Sequence, residues 1–370
     1  MFTGSQELMP QHCSPSGRIN SLGFKMTSKE RIYTAIKLKV PDRVPLLPNI
    51  RVWAMRYLGY TFEECVKDPG KFVEAQLSML EDFNIDAVFD FGVFYPIERV
   101  LGQNILTHED DFPAAIQPLI NAPEDFAKLP KNVPLNGNRW VDYQISIIKR
   151  LKQQVGEDVP LLAFVSSPFL SACYLRGTDN LFIDLYKNPD FVKALIKYLI
   201  EPTLEYTELQ TAAGADIIHM ACPVASRTMI SRDHYEEFVH PVHKQIFAYW
   251  KKKLNRQIFF HVCGDWSDRF DLVVDEGPDV LHVDEMDLSV FKKEFGKKVC
   301  INGNVRTATT LLLGSSEKVK REAIECINEG GLDGGFMLGA NCVVPRDTPE
   351  ENMRALTEAI LEAGDYPITI

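Results

Sequence analysis

No apolar run in this 370-residue sequence approaches the roughly 18 residues a membrane-spanning helix requires. Excess positive charge is missing too: 40 Lys and Arg stand against 51 Asp and Glu, a formal net charge of −11. A phosphate-binding face needs clustered basic residues, and the one dense group, Lys251 to Lys253, reads as the solvated last turn of a helix. Neither a membrane nor a nucleic acid is therefore an expected partner. The 8 cysteines fall at irregular intervals, several inside apolar runs, which excludes a disulfide framework and leads us to expect a reducing cytoplasm. No G-x-G-x-x-G follows the first apolar run; the chain reads L-G-Y-T-F-E-E there, so dinucleotide binding has no support.

What is present is an ordinary globular composition, 45% hydrophobic and 25% charged, with enough chain to bury a large core. The first 25 residues are rich in Ser, Pro, Gly and Gln, lack the apolar block of a secretory signal, and are expected to be a disordered extension. Structure should begin near Met26, where Thr27 and Glu30 make a capping-box pattern ahead of the amphipathic segment Arg31 to Leu38. Eight short apolar runs then alternate with helical periodicity: Val44 to Ile50, Asp86 to Gly92, Val159 to Val165, Asp216 to Cys222, Gln257 to Asp265, Asp279 to Glu285, Lys298 to Asn304 and Gly334 to Ala340. That rhythm predicts an α/β chain of parallel units, and eight is the number that closes a single TIM-type (β/α)8 barrel over residues 26–370. The irregular stretch from Phe94 to Asn138 is expected to lie as an excursion over a strand end.

In such a barrel, chemistry sits at the carboxyl ends of the strands. The fifth run, Q-I-F-F-H-V-C-G-D, ends in His261 and Cys263, which share one face of a strand. Cys342, in G-A-N-C-V-V-P, ends the eighth, so an imidazole and two thiolates could meet across the mouth, a donor set that catalytic zinc uses with its fourth position open. Read without a family in mind, the three residues fit plain burial equally well. Glu285, closing the intervening sixth run, is the carboxylate expected to fill or guard the fourth position and to act in catalysis. Asp90, His219 and Asn304 are candidate substrate contacts at other strand ends; for His219 and His282, inside apolar runs, the plain alternative is a hydrogen-bonded packing histidine. Cys222 and Cys300 read as small buried hydrophobes.

The segments P-D-R-V-P-L (Pro41 to Leu46), A-G-A-D (Ala213 to Asp216), H-V-C-G (His261 to Gly264), I-N-G-N-V (Ile301 to Val305) and C-V-V-P-x-x-T-P-E-E-N (Cys342 to Asn352) resemble the uroporphyrinogen decarboxylase superfamily, over nearly the whole chain from Met26. The resemblance implies a TIM-type barrel and two candidate chemistries. Decarboxylases hold a tetrapyrrole with an R-Q-A-G-R motif, an Asp, a Tyr and a G-H-G-x-x-P histidine. Here V-W-A-M-R (Val52 to Arg56) and Tyr174 match, the latter becoming a candidate substrate contact. Tyr60, Gly92 or Val93, and Asn341-Cys342 replace the charged positions. The corrinoid-linked methyltransferases instead carry H-x-C and a distant Cys, as His261, Cys263 and Cys342 do, with a carboxylate near Glu285, or in another register Asp284 or Asp287.

That branch implies zinc as cofactor and a corrinoid (cobalamin). The chain has no D-x-H-x-x-G corrinoid signature, so a partner corrinoid protein or free cobalamin is expected to supply it. The mouth aromatics Phe89, Phe91, Phe94, Tyr95, Phe169 and Tyr174 point to a methoxylated aromatic methyl donor, as in an O-demethylase component. A methylcobalamin:thiol methyltransferase of the coenzyme M type and a uroporphyrinogen decarboxylase are the alternatives.

Overall fold

The computed structural model describes residues 25–90, 92, 95–106 and 113–368. The expected disordered extension thus falls, but for Lys25, outside the described residues. Helix 28–36 opens as its sequence demands: Thr27 Oγ1 accepts the Glu30 N–H at 3.1 Å and the Glu30 carboxylate accepts the Thr27 N–H at 2.9 Å. Among the described residues nine strands follow: β1 (Val88–Phe89), β2 (Ile105–Leu106), β3 (Ala114–Ala115), β4 (Leu161–Ser166), β5 (Ile217–Ala221), β6 (Gln257–Val262), β7 (Val280–Val283), β8 (Cys300–Val305) and β9 (Phe336–Ala340). Seven form one parallel sheet in the order β1-β4-β5-β6-β7-β8-β9, and β2 pairs with β3 as a small antiparallel hairpin inside the excursion. Helices join successive sheet strands, and Val, Ile, Leu and Phe of both layers are buried between them.

The stretch from Val44 to Ile50, expected as a strand, is not a regular one. Pro45 and Pro48 have no N–H to give a ladder, so only isolated bridges form, Leu46 with Leu338 and Asn49 with Val343. They suffice to close the ring. Leu47 N–H donates to Leu338 O at 2.7 Å, Leu338 N–H to Pro45 O at 2.9 Å, and Asp86 N–H to Leu46 O at 2.9 Å, so this segment lies between β9 and β1 as the eighth stave. The architecture is the (β/α)8 barrel.

At the amino-terminal end of the barrel, Asp86 anchors three segments. Its buried carboxylate accepts from Arg31 Nη1 (2.6 Å), Arg43 Nη1 (2.8 Å), the Leu46 N–H (2.8 Å) and Ser28 Oγ (3.0 Å). Through these bonds the P-D-R-V-P-L motif fixes the closing stave to the first helix, at the end of the barrel away from the mouth.

Candidate metal centre

His261 lies in β6 and Cys263 just beyond it, on the inward face, and the chain then turns at Gly264, whose φ of +81° an L side chain rarely adopts. Cys342 follows β9, whose final residues pair with β8. Across the mouth Cys342 Sγ approaches His261 Nε2 to 3.4 Å and Cys263 Sγ to 3.7 Å. All three donor atoms lie within 4.8 Å of one another.

These separations can be tested against a metal. Tetrahedral zinc with Zn–N and Zn–S distances of about 2.05 and 2.3 Å separates N from S by about 3.5 Å and S from S by about 3.8 Å. The observed 3.4 and 3.7 Å match two of the three edges, and the third lies within the 4.8 Å that bounds the set. The tautomer fits as well. His261 Nδ1 lies 3.3 Å from the His282 carbonyl, so it carries the proton and leaves Nε2 as a lone-pair donor. Hydrogen bonding from the Cys263 thiol holds the Cys342 thiol below the usual cysteine range, whereas sharing that same proton, together with burial, pushes Cys263 up. The two sulfurs are thus close enough to share a proton that a bound cation would displace.

Asp284 joins the turns that carry the ligands. Its Oδ2 accepts the Gly264 N–H at 2.7 Å and lies 3.7 Å from Cys263 Sγ, while its Oδ1 accepts from the Asn341 amide. Burial raises its carboxyl above the usual range. Glu285 is placed otherwise. It is exposed and lines a second cavity together with Arg306, Glu325, Asp284 and Cys342, and it is not among the donor atoms that cluster at His261, Cys263 and Cys342. The cause is parity: His282 pairs in register with His261 and shares its face, Asp284 is two residues on, and Glu285 points the other way.

The centre opens onto a cavity of about 220 Å³, lined largely by apolar and aromatic groups that include Tyr95, Phe164, Tyr174 and Tyr206. Tyr174 stands edge-on to Tyr95, ring centroids 4.7 Å apart. His219 also lines this cavity, one strand over and two residues deeper than His261. Asp90 is fully buried behind it, its Oδ1 accepting the Phe164 N–H at 3.0 Å; burial lifts its carboxyl to about 7 although Arg51 pulls it down. Asn304 donates its amide to the Asp284 and Met286 carbonyls at 3.3 Å each, bracing the turn after β7, and it lines the second cavity. Phe91 and Phe94 lie outside the described residues, and Phe89 and Phe169 are buried but do not line the cavity. Sequence reading missed Arg51. Its only signal was a charge between Ile50 and Val52 in an apolar setting, yet it too lines the cavity.

Residues 27–363 match the family described as uroporphyrinogen decarboxylase (URO-D). The chain belongs to that family. Among curated relatives, a methylcobamide:CoM methyltransferase of Methanosarcina barkeri is 27% identical over 90% of this chain and 98% of its own. A methylated-thiol:coenzyme M methyltransferase of Methanosarcina mazei is 27% identical over 71% and 69% of the two chains. A uroporphyrinogen decarboxylase of Coxiella burnetii is 24% identical over 90% and 94%. Among solved structures, a methyltransferase from Methanosarcina mazei superposes with a TM-score of 0.81 at 24% identity, covering 91% of this chain and 99% of that one, which establishes the fold. Among the described residues no helix is long and apolar enough to cross a membrane.

Proposed function

We propose that this URO-D family member is a transferase that moves a methyl group between a corrinoid and a small thiol, with zinc held by His261, Cys263 and Cys342. The observation that carries this reading is the convergence of one imidazole nitrogen and two sulfurs at 3.4 and 3.7 Å on the wall of a small apolar cavity. Zinc bound there would supply Lewis acidity that keeps a substrate thiol in its nucleophilic thiolate form near neutral pH. The protein does the rest by position. The His282 carbonyl fixes the His261 tautomer and Asp284 holds both ligand-bearing turns, while the aromatic lining excludes water from the reacting sulfur. A volume of about 220 Å³ is below the ~300–1,000 Å³ of drug-sized sites, so it takes a small acceptor and leaves the corrinoid to be presented at the mouth by a partner. The names of the Methanosarcina relatives support a thiol acceptor of the coenzyme M type.

The edge-to-face pair Tyr95 and Tyr174 favours a second reading, a methoxylated aromatic donor demethylated at the same centre. Metal analysis combined with two assays decides between these readings. Wild type should bind about one equivalent of zinc, lose it in Cys342→Ala, and methylate 2-mercaptoethanesulfonate from methylcobalamin. Demethylation of methoxyarenes by Co(I) corrinoid without thiol methylation would select the second reading. Uroporphyrinogen turnover by metal-free protein would reject both.

A further inference from the structure

Two of the metal-centre residues are also a pair of thiols in contact. Of the seven cysteines among the described residues, five are buried and only Cys263 and Cys342 are half-buried. These same two meet, Sγ to Sγ at 3.7 Å, although they stand 79 residues apart in sequence. Neither is held in a strand. Cys263 follows β6 in the turn at Gly264, and Cys342 lies in the bend after β9, so either side chain can rotate without breaking a ladder hydrogen bond. The sulfurs need to close by about 1.7 Å to reach the roughly 2.05 Å of a disulfide. A zinc ion at the centre would occupy the sulfur lone pairs that an oxidant attacks.

Access distinguishes the two sulfurs. Both residues line the apolar cavity inside the mouth, but Cys342 also lines the second cavity, of about 510 Å³, beside Asn304, Arg306 and Thr307. A small oxidant thus reaches Cys342 from two sides. Cys263 is covered on its other side by Asp284, whose Oδ2 lies 3.7 Å from its sulfur. Cys326 shares the second cavity but is 6% exposed, and it donates to Asn304 Oδ1 at 3.7 Å from within the helix 316–330.

We propose that Cys263 and Cys342 form a redox pair: in the metal-free chain hydrogen peroxide oxidises Cys342, and Cys263 closes a disulfide onto it that shuts the centre to zinc. In the first step the O–O bond breaks as the Cys342 sulfur takes one hydroxyl and becomes a sulfenic acid; the other hydroxyl leaves as water with the thiol proton. In the second, the Cys263 sulfur attacks the Cys342 sulfur, an S–S bond replaces the S–O bond, and the hydroxyl leaves as water with the Cys263 proton. Two thiols and one peroxide give one disulfide and two waters. The pair stands on the sulfur contact, whereas its protection by metal rests on the zinc reading.

Peroxide treatment of the full chain, either stripped by a chelator or loaded with zinc, tests both parts. A Cys13→Ser background leaves only the seven described cysteines. The stripped protein, native by circular dichroism, should lose two thiols and two hydrogens of mass, and a peptide map should join Cys263 to Cys342. It should then take up no zinc until dithiothreitol restores the thiols. The zinc-loaded protein should keep every thiol over the same period. Cys263→Ser should stop at a Cys342 sulfenic acid that dimedone traps, whereas Cys342→Ser should leave Cys263 unlabelled. A stripped protein in which Cys263 and Cys342 stay unlinked, or in which Cys342 joins Cys326, overturns the proposal without need of either serine variant. Linking at an equal rate in zinc-loaded protein overturns the protection. A chain that takes up no zinc yet forms the link rejects the metal reading and upholds the pair; a zinc-binding chain that forms none rejects the pair alone.

Discussion

Replacing Asp284 separates a carboxylate that ligates from one that positions. Its two oxygens hold the Gly264 N–H at 2.7 Å and the Asn341 amide, and those residues adjoin Cys263 and Cys342. Asp284→Ala therefore frees both ligand-bearing turns with one change. Hydrogen bonds to a charged acceptor contribute about 1.5–3 kcal/mol each, and a half-buried site recovers some of that from water, so the variant should lose about 2–4 kcal/mol of stability. Loosened ligand geometry should weaken zinc by about 10–100-fold, the usual effect of losing an outer partner of a metal ligand. Competition against a chromophoric chelator measures the affinity, and urea unfolding of the same samples measures the stability. Asp284→Asn can still accept from the Gly264 N–H while meeting the Asn341 amide poorly, and should fall between. Glu285→Ala, at an exposed position on the opposite face, should change neither quantity. The reasoning fails if Asp284→Ala binds zinc as tightly as wild type, or if Glu285→Ala loses tenfold.

Removal of Asp86 tests the amino-terminal end. Asp86→Ala leaves Arg31 and Arg43 buried without their shared carboxylate and should cost about 3–5 kcal/mol in chemical unfolding; a cost below about 1 kcal/mol would deny the network its structural role. Asp90 gives a pH signature. Its folded pKa is raised to about 7, against about 3.9 unfolded, so the protonated form favours the native state below the lower value. That benefit is lost as pH rises toward 7, at a cost of order 4 kcal/mol above it. Asp90→Asn should therefore gain stability relative to wild type between about pH 4 and 8, and a pH-independent difference in urea midpoints would contradict the buried-carboxyl account. Zinc loss in Cys342→Ala completes the set.

Much of this architecture could be read from residue order because parallel strands bury both faces and so appear as uninterrupted apolar runs. Seven of the eight runs are sheet strands, and the H-x-C spacing with a strand-end Cys brought the three donor atoms together. The failures share a cause, direction. Val44 to Ile50 had the composition of a strand, but its prolines could not sustain a ladder. Glu285 and Asp284 are neighbours in sequence, and only the register with His261 decides which one faces inward. Asn304 stood at a strand end like the others, yet its amide is used on a backbone turn. Arg51 was invisible because a lone charge in an apolar stretch has no period, and its place is fixed by a bond to His219, far away in sequence.

The Asp42 region has a practical consequence. The Met26 N–H donates to the Asp42 carboxylate at 3.0 Å, and the Tyr366 N–H lies 3.4 Å from the Asp42 carbonyl, so residues near both ends of the described domain meet at one aspartate. Asp42 also binds Arg31, which places this junction beside Asp86 and the amino-terminal ends of the strands. A short linker between residues 26 and 366 could thus join them in a circular permutant, with new ends cut in an outer loop. With the cut made in a loop at that same amino-terminal end, such a permutant should keep its zinc affinity, since the new bond and the broken one both lie away from the mouth that carries His261, Cys263 and Cys342.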